Sequence, residues 1–136
     1  MAADGAVVCD ASAFAAMIFG EPGSAEAHSL TRSRRLLAPS LLRYELAQVA
    51  IRKCASGRDD VQLVEREFAA SFRVPVRLVE PSWPAVFRLA RAGGLSAYDA
   101  SYLQLALELR VPLATLDKRL ARAADALGIK AAPRVD

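Results

Sequence analysis

Histidine occurs once in this chain, at His28 in a polar helical stretch expected at the surface, so a mechanism built on two acid/base histidines is excluded within one chain. Cysteine occurs only at Cys9 and Cys54, without metal-type spacing, and both read as buried thiols of a reducing cytoplasm. No apolar run approaches the roughly 20 residues that a membrane span requires, so no segment is expected to cross a bilayer. The first residues carry Asp4 in place of a basic region and no long apolar stretch follows, which argues against a signal peptide. No Gly-x-Gly-x-x-Gly follows a strand-like run and no P-loop is present, which disfavours a nucleotide-binding Rossmann module. Internal repeats, low-complexity tracts and long linkers are missing too.

What remains is a chain of 136 residues, 54% of them apolar, long enough for a continuous core with elements buried on more than one face. The net charge is +3, and arginine far outnumbers lysine. Basic side chains gather at Arg32, Arg34 and Arg35, at Arg52, Lys53 and Arg58, and at Lys118, Arg119 and Arg122. Arginine suits bidentate phosphate contacts, so the charge permits a nucleic-acid partner. A solvated surface encoded in an arginine-rich genome explains it equally well.

Strand-like and helix-like runs alternate from end to end. Ala6-Val7-Val8-Cys9, Arg35-Leu36-Leu37-Ala38, Val76-Arg77-Leu78-Val79 and Leu113 to Leu116 read as strands, and Ile129 to Ala131 as a short last one. Between them lie helices: one through Phe14 and Ile18, a short one capped by Ser24, and a long one capped by Ser40 and ending near Gly57. Others are capped by Asp59 or Asp60, opened by Pro81 and Ser82, begun at Ser96, and run from Lys118 to Leu127. Short apolar strands separated by helices predict one α/β domain over residues 1–136, a parallel sheet of about five strands with helices on both faces.

Four carboxylates stand out on this scaffold. Asp10 and Asp117 each end a strand-like run and precede a helix, where open parallel sheets place their sites. A strand-to-helix aspartate is also a good N-cap, and for either residue alone the cap suffices. Ser12 lies two residues past Asp10, and Thr115 shares a strand face with Asp117. Their hydroxyls can orient a water or a phosphate, or satisfy turn backbone. Glu45, Gln48 and Arg52 form a narrow polar stripe on an otherwise apolar helix; Glu45 has no ion-pair partner four residues either side, which leaves a site role or a more distant pairing with Arg52. In the helix after Ser96 the polar face reads as Ser101, Gln104 and Glu108. Asp99 projects to the opposite side, either completing a capping box with Ser96 or pointing into a cleft. If all four acids converge they repel, by on the order of 4 kcal/mol for a pair about 4 Å apart. Cations must then occupy the cluster, and oxygen-only donors suit Mg²⁺ or Mn²⁺.

With those residues in view, the chain resembles a PIN-domain ribonuclease, and within that group a VapC-type toxin. The resemblance rests on Val8-Cys9-Asp10-Ala11-Ser12-Ala13, on Pro39-Ser40-Leu41-Leu42-Arg43-Tyr44-Glu45-Leu46, on Leu95-Ser96-Ala97-Tyr98-Asp99-Ala100-Ser101-Tyr102-Leu103-Gln104-Leu105-Ala106, and on Leu113-Ala114-Thr115-Leu116-Asp117. Any one motif is weak; four in order at these spacings are fairly specific. The resemblance implies a cytoplasmic, metal-dependent endoribonuclease with Asp10, Glu45, Asp99 and Asp117 around one or two divalent ions. It also implies an RNA substrate cut in single strands, a homodimer, and neutralisation by a VapB-like antitoxin that inserts a segment into the cleft. Some relatives carry an acid two residues after the fourth motif aspartate; here Arg119 stands there, available for a phosphate contact. Two alternatives stay open: a non-catalytic PIN-like module that binds RNA or protein, and a phospho-accepting receiver domain with Lys130 as its strand-end lysine.

Overall fold

The computed structural model describes residues 5–130. Four parallel strands, β1 (Ala6–Cys9), β2 (Arg35–Ala38), β3 (Val76–Leu78) and β4 (Leu113–Ala114), form one sheet in the order β3-β2-β1-β4. Helices α1 (Ala11–Phe19) and α2 (Ser24–Thr31) join β1 to β2, and α3 (Leu41–Ala55) and α4 (Val61–Ser71) join β2 to β3. Helices α5 (Trp83–Gly93) and α6 (Ala97–Leu109) then carry the chain back across the sheet to β4, and α7 (Lys118–Ala126) follows. The strand order therefore reverses between β1 and β4, so the topological switch point lies at their carboxyl ends.

The two-residue strand repeat explains why the sheet is covered on both faces. Ala6 and Val8 of β1 belong to the larger apolar cluster, with Leu103 and Leu105 of α6 among its members. Val7 points the other way, into a smaller cluster with Leu30 of α2 and Ala114 of β4. On the larger side α1 packs against α3 and α4. Helix α3 buries Leu42 and Leu46, one turn apart, and leaves Tyr44 and Ile51 exposed. No helix among the described residues is long and apolar enough to cross a membrane.

Four local readings need correction. Ser24 does not cap α2: Gly23 holds that position at φ 94°, a left-handed conformation that favours glycine, and packs near the Leu116 side chain. Ser40 precedes α3 with helical backbone angles and makes no side-chain cap; its own N–H donates to Glu80 Oε1 at 2.8 Å. Strand β4 stops at Ala114, because Thr115 Oγ1 accepts the Asp117 N–H at 3.0 Å and turns the chain out of the ladder. The expected fifth strand is not formed at Ile129 and Lys130, although the Lys130 carbonyl accepts from the Leu113 N–H at 3.1 Å; Ala131 lies outside the described residues. Cys9 is buried, Cys54 only partly so, and His28 is exposed.

The unequal faces of α3 make a testable contrast. Leu46→Ala is expected to cost about 2–5 kcal/mol in urea denaturation, the range for a truncated core leucine. Ile51→Ala should stay within about 0.5 kcal/mol, as exposed positions do.

Candidate active site

Asp10 begins where β1 ends, and its backbone N–H still pairs with the Ala114 carbonyl at 3.1 Å, so the neighbouring strand ends are tied together. The carboxylate is buried, 4% exposed, and accepts from three groups. Oδ1 takes the Ala13 N–H at 3.0 Å, which caps α1, and the Ser12 hydroxyl at 2.7 Å. Oδ2 takes the Thr115 hydroxyl at 2.5 Å. Ser12 and Thr115 each accept in turn from backbone beyond β4, at the Leu116 and Asp117 N–H groups, both at 3.0 Å. The two hydroxyls expected to orient water or phosphate thus have their protons on Asp10, and they position that carboxylate.

Glu45 emerges from the first turns of α3, partly buried, and its Oε1 accepts from the Tyr102 hydroxyl of α6 at 2.6 Å. Tyr102 is a site residue that sequence reasoning missed. It lies on the buried face of α6, three residues past Asp99, where periodicity assigns an aromatic ring to the core; only the phenolic oxygen hints at a polar partner. Burial, then the charge and hydrogen bond of Glu45, push its phenol far above the ordinary value, so it stays a donor. Ser101, assigned from sequence to the polar face, is buried instead. Its hydroxyl donates to the Ala97 carbonyl at 2.7 Å, because α6 is covered by α5 on one side and the sheet on another.

Asp99 sits half-buried one turn into α6, whose start is capped by the Ser96 hydroxyl accepting from the Asp99 N–H at 3.0 Å. Asp117 is exposed and caps α7, with Oδ1 accepting from the N–H groups of Arg119 and Leu120 at 2.9 and 3.3 Å. The capping reading therefore holds for Asp10 and Asp117, yet all four acids also feel one another. Burial raises the Asp10 carboxyl above its ordinary value, the bonds from Thr115, Ala13 and Ser12 pull against it, and Asp117 adds to the rise. Burial raises Glu45, opposed by Tyr102 and reinforced by Asp10 and Asp99. Asp99 is raised by burial and then by Asp117, and is drawn back by the Arg119 guanidinium and by Ser96. The charge of Arg119 thus offsets part of the negative field at Asp99. Cys9, beside Asp10, is held as a neutral thiol by burial and by that carboxylate, so it is no nucleophile.

Among the described residues, no three His, Cys, Asp or Glu side chains stand close enough to grip an ion together. The donor set still fits a hard divalent cation: it is all oxygen, four acids share one field, and three carry raised proton affinities that a cation would relieve. Mg²⁺ is commonly held by one or two carboxylates with retained waters, so it does not require three together.

The sheet thus has its switch point between β1 and β4, with buried Asp10 at the end of β1 and exposed Asp117 in the turn after β4. The family model of the PIN domain matches residues 7–126, and the chain belongs to that family. PIN domains are typically nucleases and generally bind divalent metal ions. The crystal structure of PAE2754 from Pyrobaculum aerophilum is similar, with a TM-score of 0.70 and 25% identity over 90% of this chain and 92% of that one. No curated protein matches the sequence. Family membership sets aside the receiver-domain alternative.

Asp10, Glu45 and Asp99 hold their protons more tightly folded than unfolded. Each therefore leaves stability intact below the ordinary carboxylate range and subtracts from it as pH climbs from that range to the raised values. In EDTA, the melting temperature of Asp10→Asn relative to wild type is expected to rise as pH increases across that window. A difference that does not change with pH would show that the Asp10 carboxyl is not raised.

Proposed function

We propose that this protein is a metal-dependent endoribonuclease of the VapC toxin type. The observation that carries the reading is the shared field of Asp10, Glu45, Asp99 and Asp117 at the switch point of a PIN fold. Asp10 and Asp99, with Asp117 and Glu45, would hold Mg²⁺ or Mn²⁺. A bound divalent ion lowers the pKa of water and offsets charge that develops on phosphate.

The chain's own residues then divide the remaining work. Asp10 is locked by Ser12, Thr115 and the α1 amide, so it presents one fixed carboxylate with little freedom to rearrange. Glu45 is held by Tyr102 and raised by burial, which suits it to orient the attacking water and accept its proton. Arg119, whose charge acts on Asp99, would meet a phosphate oxygen. Water attacks phosphorus and the 3′-oxygen leaves, so the products carry 5′-phosphate and 3′-hydroxyl ends. A VapB-like antitoxin covering the cleft and a homodimer complete the reading, both carried over from the resemblance to VapC-type toxins.

Incubation of the antitoxin-free protein with structured RNAs in Mg²⁺ or Mn²⁺, with EDTA alongside, tests the reading. Discrete cuts with 5′-phosphate ends are expected, lost in EDTA and in Asp10→Asn and Asp99→Asn, and reduced about 10²- to 10⁴-fold in Glu45→Gln. Tight RNA binding without any product, from folded and metal-loaded protein, would instead establish a non-catalytic binding module. Tyr102→Phe removes a bond that lowers the Glu45 proton affinity, so the acid limb of the pH–rate profile is expected to move to higher pH. An unmoved limb would remove Tyr102 from the positioning of Glu45.

A further inference from the structure

A single exposed ring is ordinary on a protein surface. Here Tyr44 is 75% exposed and Tyr98 61%, and each immediately precedes an acid of the site, Glu45 on α3 and Asp99 on α6. Both rings line one groove of about 850 Å³ that starts at Glu45 and extends along α3 to Arg52 and Arg58. Glu45, Gln48 and Arg52, at steps of three and four, form its helical wall. At 1.5 Å per residue, Arg52 stands roughly 10 Å from Glu45 along the helix axis.

The charge of the groove changes along this line. Lys53 lies 3.8 Å from both Glu21 and Asp59, so one cation answers two carboxylates and the trio keeps a residual negative charge. Neither Arg52 nor Arg58 has an ion-pair or hydrogen-bond partner for its guanidinium among the described residues. The groove is therefore negative at Glu45, the one acid of the four that lines it, carries two aromatic rings, and holds two uncommitted arginines that outweigh the residual charge of the Lys53 trio by one unit.

Resting on the nuclease reading above, we propose that this groove is a track for unpaired nucleotides. Bases stack on Tyr44 and Tyr98 in the groove that Glu45 lines, while Arg52 and Arg58 take the phosphates that lead away along α3. Every base offers a π-face, so stacking binds single strands with little regard to sequence. In a duplex those faces are already stacked on one another, which makes the two rings a selector for unpaired RNA. Arginine at the far end matches phosphate geometry and adds salt-dependent affinity.

The test is fluorescence anisotropy in Mg²⁺ with full-length Asp10→Asn protein, so that the probe is not cut. The probes are a 5′-fluorescein 12-nucleotide RNA without self-complementarity and the same RNA annealed to its complement. The single strand is expected to bind more tightly than the duplex. Added Tyr44→Ala or Tyr98→Ala should each weaken single-strand binding by about five- to 150-fold, the loss of one stacked base, with the salt slope unchanged. Tyr44→Phe, which keeps the ring, should bind as the parent does. Arg52→Ala should lower the slope of log K against log salt by about 0.7, one phosphate contact, whereas Arg77→Ala on β3 should change nothing. Equal affinity for duplex and single strand, or tyrosine variants that bind like their parent, would overturn the track. If wild-type protein cuts RNA in that case, the nuclease reading stands alone; if it neither cuts nor binds any RNA, both fall.

Discussion

The buried carboxylate of Asp10 is the constraint on which the site depends. Its two oxygens collect a helix amide and two hydroxyls, and those hydroxyls accept in turn from the backbone that leaves β4. One side chain thereby joins the end of β1, the start of α1 and the turn before α7. A carboxylate this deeply buried is costly unless its lone pairs are matched. The matching groups come from segments more than 100 residues apart, so the network exists only when β4 has docked beside β1.

The same burial creates the electrostatic conflict that gives the site its chemistry. Hydrogen bonds favour the ionised form of Asp10, while desolvation and then Asp117 oppose it. Glu45 repeats the balance with a single donor, Tyr102, and Asp99 with Ser96 and the Arg119 guanidinium. None of these partners cancels the negative field, and a divalent cation would. The fold holds acids together that are individually content as caps, and so makes a place where added positive charge is favoured. Around that place the surface is built differently: exposed rings and free guanidinium groups stand at the groove, with apolar packing behind it.

The elements were legible because each obeys a local rule. Val7-Val8-Cys9 is too short and too apolar for anything but a covered strand, Asp60 and Ser82 are ordinary caps, and Gly94 stops α5 in a left-handed turn. Misreadings occurred where a local rule met a tertiary demand. Ser24 has cap chemistry, but the chain enters α2 through a left-handed Gly23, which leaves Ser24 inside the helix. Ser101 sits on the polar arc of an isolated α6, but in the fold it is buried while Glu108 of the same arc stays exposed. Thr115 looked like one more strand residue until its hydroxyl turned the chain toward Asp117.

By itself, the sequence determined the parallel α/β class, the positions of four acids at element boundaries, and the oxygen-only character of their donors. These follow from periodicity, capping and residue chemistry, all of which act within a few residues. Only the tertiary structure decided that β4 lies beside β1, that Ser12 and Thr115 donate to Asp10, and that Tyr102 holds Glu45 across 57 residues. Those facts depend on strand order and on which helix faces are covered, and no local pattern carries either. Burial, which raises the proton affinities of Asp10, Glu45 and Asp99, is likewise a property of the assembled fold, because it is set by what surrounds a side chain and not by what it is.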